Sequence, residues 1–86
     1  MHELSVALEI RRIAETRLAT DERARLVTVG LEVGEESGLE PESLRFCLDA
    51  VFSEPPFTAP RAVIERPPGD ALRVTYLEVD DGRPDD

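Results

Sequence analysis

Apolar residues fall at Leu4, Val6, Ala7, Leu8, Ile10, Ile13, Ala14 and Leu18. At 100° per residue they gather into one broad arc, with Ser5, Glu9, Arg12 and Thr16 on the other side. The spacing predicts an amphipathic helix from Leu4 to about Leu18, with Glu3 in its first turn against the positive end of the helix dipole. The pattern breaks at Thr20-Asp21-Glu22-Arg23. Val27, Val29, Leu31 and Val33 then alternate with Thr28, Gly30 and Glu32, the signature of a half-buried strand. A polar connection, Gly34-Glu35-Glu36-Ser37-Gly38, leads to a second helix. Pro41 disfavours helical geometry at Glu40, so Glu40 is expected at the cap and Pro41 at the first helical position. Glutamate is a second-rate cap, which leaves its carboxylate without an obvious structural role.

From Pro41 to about Phe52 apolar side chains cover most of the circumference, leaving a narrow polar strip of Glu42, Arg45 and Asp49. Such a helix is expected to be the central buried one, with Cys47 as a small core residue. Ser53 to Pro60 carries Pro55, Pro56 and Pro60 and reads as an extended connection. Arg61 to Arg66 is a second strand, Pro67-Pro68-Gly69-Asp70 a turn, and Ala71 to Val79 a third strand. In that third strand Leu72, Val74 and Tyr76 oppose Leu77 and Val79 in parity, implying a bulge or burial on both faces.

The order α-β-α-β-β predicts an α+β fold, a three-stranded mixed sheet with two helices packed on one face. The second helix allows a parallel crossover between the first two strands, and the short turn before Ala71 predicts an antiparallel hairpin for the last two. The sheet edges and its open face invite self-association, so a homo-oligomer is among the expected assemblies. Residues 1–79 read as a single domain, and 80–86 as a disordered acidic tail.

Composition narrows the partners. A formal charge of −9 argues against nucleic acid and anionic membranes, both of which call for basic patches. No apolar run approaches the ~20 residues of a membrane span, and no signal peptide ahead of Met1 is expected. A lone cysteine, Cys47, forms neither an internal disulfide nor a zinc cluster, and the expected setting is the reducing cytoplasm. A charged fraction of 34% beside 41% hydrophobic residues is compatible with a folded chain. There is no phosphate-cradling glycine loop and no second histidine for a nucleophilic triad, so the chain is not expected to be an enzyme.

The candidate chemistry lies at the start. Met1-His2-Glu3 sets an α-amine, an imidazole and a carboxylate side by side. Two nitrogen donors and one oxygen donor suit a borderline divalent ion such as nickel or copper. A helix beginning directly behind them would order the terminus and lower the entropy lost on binding.

Three segments carry a resemblance: Met1-His2-Glu3-Leu4-Ser5-Val6-Ala7-Leu8, Leu31-Glu32-Val33-Gly34-Glu35-Glu36-Ser37-Gly38, and Glu40-Pro41-Glu42-Ser43-Leu44-Arg45-Phe46. Together with Leu72-Arg73-Val74 and Leu77-Glu78-Val79 they make the chain similar to the HypA/HybF family of nickel metallochaperones. The resemblance implies a nickel-binding domain that delivers Ni²⁺ for maturation of [NiFe] hydrogenase or urease, with a nickel-handling GTPase and a hydrogenase large subunit as partners. It implies a metal site at Met1, His2 and Glu3, sometimes joined by Glu40. The chain departs from the family pattern at Arg66-Pro67-Pro68-Gly69-Asp70-Ala71, which stands where the family inserts two Cys-x-x-Cys pairs. No structural zinc is therefore expected. The alternative reading is an interaction module on the same scaffold that has lost metal transfer.

Overall fold

The computed structural model describes residues 2–81. Six elements follow in chain order: α1 (Glu3–Arg17), α2 (Thr20–Arg23), β1 (Leu26–Val33), α3 (Pro41–Phe52), β2 (Arg61–Glu65) and β3 (Leu72–Val79). The α+β class and the mixed three-stranded sheet are as the pattern predicts. The break after α1 holds a single helical turn, α2, whose Glu22 carboxylate reaches back to accept the Ala19 N–H at 2.7 Å.

The sheet order is β2-β1-β3, with β1 parallel to β2 and antiparallel to β3. The parallel crossover through α3 is present; the hairpin between the last two strands is not. β3 passes beyond β1 and pairs with its far side. The 66–71 link can do this because it reaches up to about 20 Å when extended, whereas two strand spacings are only about 10 Å. Its length alone therefore permits either arrangement. What selects the crossing is a track of backbone groups at the end of β1. The amides of Gly34, Glu35 and Glu36 donate to the carbonyls of Ala71, Pro67 and Gly69 at 2.7, 2.9 and 2.7 Å. The Arg66 guanidinium donates to the carbonyls of Val33 (2.7 Å) and Gly34 (3.2 Å). Gly34 is required here, since a Cβ on it would lie 2.2 Å from the Gly69 carbonyl oxygen.

Centrality changes the burial of β1. It was expected to be half-buried, but Leu26, Thr28, Val29, Gly30, Leu31 and Val33 are all buried, because strands flank both of its edges and the Tyr76 ring lies over Gly30 on the outer face. Two register shifts interrupt its pairing with β3. The first inserts Val27 into β1 and turns it outward, so that Leu26 rather than Val27 reaches the core. The second leaves Thr75 of β3 unpaired, which resolves the mixed parity of that strand. Leu72, Val74, Leu77 and Val79 then stand opposite Val33, Leu31, Val29 and Leu26 in one inward-facing row.

The inner face of the sheet is covered by α1, through Ala7, Ile10 and Ala14, and by α3, through Leu44, Leu48 and Phe52. Phe57 completes this core and meets the Phe52 ring edge-to-face at 4.9 Å. The expectation that α3 would be the central buried helix, exposing only a narrow polar strip, does not hold. Its core stripe is one-sided, Cys47 and Val51 are half-buried beside α1, and Phe46 is 75% exposed. A two-layer domain has nothing to cover the outer face of its helices. Two arginines fasten the layer: Arg11 donates to the Val51 carbonyl and stacks over Phe57 at 5.1 Å, and Arg45 donates to the Ala62 carbonyl of β2 at 2.7 Å. The predicted acidic tail is held at its start, where the Asp80 N–H donates to the Arg25 carbonyl at 2.9 Å. The rest of that tail, 82–86, lies outside the described residues.

Candidate metal centre

Helix α1 starts at Glu3 because His2, at φ −122° and ψ 34°, is the last residue outside helical geometry. The His2 carbonyl accepts the Val6 N–H at 3.0 Å, closing the first helical hydrogen bond. The backbone of His2 is therefore fixed by the helix. Its imidazole is exposed and makes no capping hydrogen bond.

Glu3 points the other way. Its side chain is buried, only 7% exposed, and Oε2 accepts the Glu40 backbone N–H at 2.9 Å. That amide stabilises the carboxylate over the acid and is the largest cause of a Glu3 pKa lowered from 4.5 to about 2, while partial burial opposes the shift. The contact joins residues that are 37 apart in the chain and brings the start of α1 against the start of α3.

Glu40 sits at that second start. It is exposed, in extended geometry at the N-cap, with Pro41 at the first helical position. Its Oε1 accepts the N–H groups of Glu42 (2.8 Å) and Ser43 (3.4 Å). The carboxylate acts as the cap that its place before Pro41 predicts: it satisfies two of the amides that open α3 and lies favourably against the helix dipole.

Glu3 and Glu40 thus meet where the two helices start, and His2 immediately precedes Glu3 in the chain. Met1 lies outside the described residues. Among the described residues no group of three or more His, Cys, Asp or Glu side chains is placed to hold a metal ion. Each carboxylate is engaged by backbone amides, yet an ionised carboxylate offers about four acceptor positions, so neither engagement exhausts its donor capacity. Cys47 stands apart from this end, half-buried on α3. The tie between Glu3 and Glu40 has no sequence signature, because a carboxylate in the first turn of a helix is explained locally by the dipole. Only the tertiary fold reveals which amide it takes.

A family profile described as hydrogenase/urease nickel incorporation, metallochaperone, hypA, matches residues 1–72. Among curated proteins, the hydrogenase maturation factor HypA of Albidiferax ferrireducens is 39% identical over 78 residues, which is 91% of this chain and 69% of the relative. The hydrogenase maturation factor HypA of Azoarcus sp. strain BH72 is 41% identical over 69 residues, or 80% of this chain and 60% of the relative. That of Geobacter metallireducens is 35% identical with the same coverage. The chain thus spans only 60 to 69% of the length of these relatives. No solved structure gives a significant match.

Proposed function

The chain belongs to the HypA family of nickel-incorporation metallochaperones, and on that premise we propose that residues 1–79 act as one nickel-binding domain that carries Ni²⁺ to a maturing [NiFe] hydrogenase. Nickel is the cargo. The proposed ligands are the Met1 amine, the amide nitrogen and imidazole of His2, and a carboxylate oxygen from Glu3 or, across the helix junction, Glu40. If the His2 amide ionises, the nitrogen set favours a square-planar site; if it stays protonated, carboxylate and water complete an octahedron.

The observation that carries this reading is the 2.9 Å hydrogen bond from the Glu40 amide to Glu3. It anchors the first turn of α1, so His2 is presented from an ordered helix start and less entropy is lost when the ion binds. The exposure of His2 suits a carrier that must also release the ion. Binding displaces protons from the amine and imidazole, so affinity falls as pH drops. The partners proposed by family membership are a nickel-handling GTPase and the hydrogenase large subunit, with urease maturation as the alternative destination. The family's task is carriage of an ion, and no turnover reaction is assigned. Among the described residues no helix is long and apolar enough to cross a membrane, and the cytoplasm is the proposed compartment.

The test uses untagged protein that keeps its native terminus. The ten Lys/Arg residues of the chain are all arginines, so the α-amine is its only primary amine and the one that amine-selective acylation modifies. Nickel titration is expected to show binding in the parent, with loss of at least about tenfold in affinity in both His2→Ala and the acylated chain. Equal affinity in all three would remove the proposed site and leave the interaction-module alternative.

A further inference from the structure

The helical layer leaves three large apolar side chains in water. Phe46 is 75% exposed, Leu4 55% and Leu8 52%. They belong to one surface. α1 and α3 run side by side in the same direction, joined at their starts by Glu3 and the Glu40 amide and further along by Arg11 and the Val51 carbonyl. The furrow between them, about 410 Å³, is lined by Leu8, Arg11, Ala50, Val51 and Glu54. Leu4 precedes Leu8 by one turn on α1, and Phe46 precedes Ala50 by one turn on α3, so each extends its own wall of the furrow.

The rim is acidic. Glu42, Asp49 and Glu54 are exposed along the α3 side, and α3 has no basic residue in its last turn, so the negative end of its dipole adds to them. The nearby arginines carry opposing charge, which Glu15 and Glu9 offset at Arg11 and Arg12, leaving Arg45 as one positive group against the three rim carboxylates. Arg11 is committed to the carbonyls of Val51 and Pro55 and to Glu15, Arg45 to Ala62, and Arg12 to Glu9.

We propose that this furrow docks a partner protein through a helix with an apolar stripe and a basic flank. An apolar seam between two parallel helices accepts a third helix by ordinary ridge-and-groove packing, and the acidic rim selects the sign of its flanks. A second copy of the chain fits poorly, since it would bring the same rim and another −9 of charge against the first. Because Leu4 lies directly behind His2 and Glu3, a helix seated here ends beside the helix junction. The inference stands without nickel and is tested without it.

The experiment uses the full chain, isotope-labelled for NMR, and two synthetic helices of about 18 residues that share one leucine stripe. One carries lysine on its polar face, the other glutamate. The lysine helix is expected to bind, more weakly as salt rises, with shift changes concentrated at Leu4, Leu8, Phe46 and Ala50. Phe46→Ser, at a position too exposed to support the fold, is expected to weaken it about tenfold while leaving the nickel titration unchanged. Equal binding of the two helices, no binding, shift changes on another face, or a concentration-dependent dimer abolished by Phe46→Ser would each overturn the proposal. The shift map on the parent protein keeps the test decisive even if a serine variant unfolds.

Discussion

At the scale of single residues, the Glu3 carboxylate does work that its local sequence does not announce. Glu3 is held ionised by the Glu40 amide, with its pKa lowered to about 2. A carboxylate whose folded pKa lies below its unfolded value stabilises the fold at pH above the unfolded value, and that contribution is lost as pH falls through the folded one. The metal-free protein is therefore expected to lose stability between about pH 4.5 and 2, and Glu3→Gln, which keeps only a neutral hydrogen bond, should lose less across that window while being less stable at neutral pH. Melting temperatures of both proteins from pH 2 to 7 check this; parallel curves would refute it. The cap role of Glu40 and its proposed ligand role are separable. Glu40→Ala should cost about 1 kcal/mol of stability, read by urea denaturation, and Glu40→Asn should recover most of it. If nickel affinity falls in Glu40→Asn while stability is kept, the carboxylate also serves the metal.

At the scale of elements, local patterning was enough for the two long helices, missed the single turn α2, and was insufficient for the pairing of strands. The arc of apolar positions located α1, and Pro41 behind an extended Glu40 located the start of α3, because both signals act within one or two turns. The mixed parity of Leu72 to Val79 announced an irregularity, and the unpaired Thr75 is that irregularity. The position of Phe46 was not legible: an apolar residue in an apolar helix looks buried until the number of layers is known. The sheet order was not legible either, since the 66–71 link is long enough for a hairpin or a crossing. The deciding contacts are between backbone groups, and backbone groups leave no mark on the sequence except where they exclude a side chain. Gly34 is such a mark. Gly34→Ala should destabilise by roughly 1–3 kcal/mol, because the clash is with the Gly69 carbonyl, part of the hydrogen-bonded track. Gly30→Ala meets the Tyr76 ring first, and that side chain is 46% exposed and has room to swing aside, so the cost should be smaller. Denaturation of the two variants side by side gives the order, and a milder Gly34→Ala would contradict the crossing link.

At the scale of the whole molecule, the placement of β1 decides how the domain is held and how the helix junction is presented. The strand that both helices cover is also the strand with neighbours on both edges, and α3 leaves its C-terminal end to begin at Glu40, where α1 also starts. A fold organised in this way carries the helix junction on its most constrained strand. In the hairpin arrangement β1 would be an edge strand, with alternate amides pointing to water. In the observed order those amides are paired to β2 on one side and β3 on the other, while β2 and β3 each keep one open edge. Native-state hydrogen exchange distinguishes the two. Successive amides from Thr28 to Glu32 should all exchange slowly, approaching the rate set by global unfolding, whereas Arg61 to Glu65 and Leu72 to Val79 should alternate between slow and fast. Chelator should leave this pattern unchanged, because the core and the backbone track, with one cysteine in the sequence, hold the sheet without a thiolate cluster. Alternating protection within β1 would place it at an edge, and the route by which the fold sets Glu40 beside Glu3 would then have to be a different one.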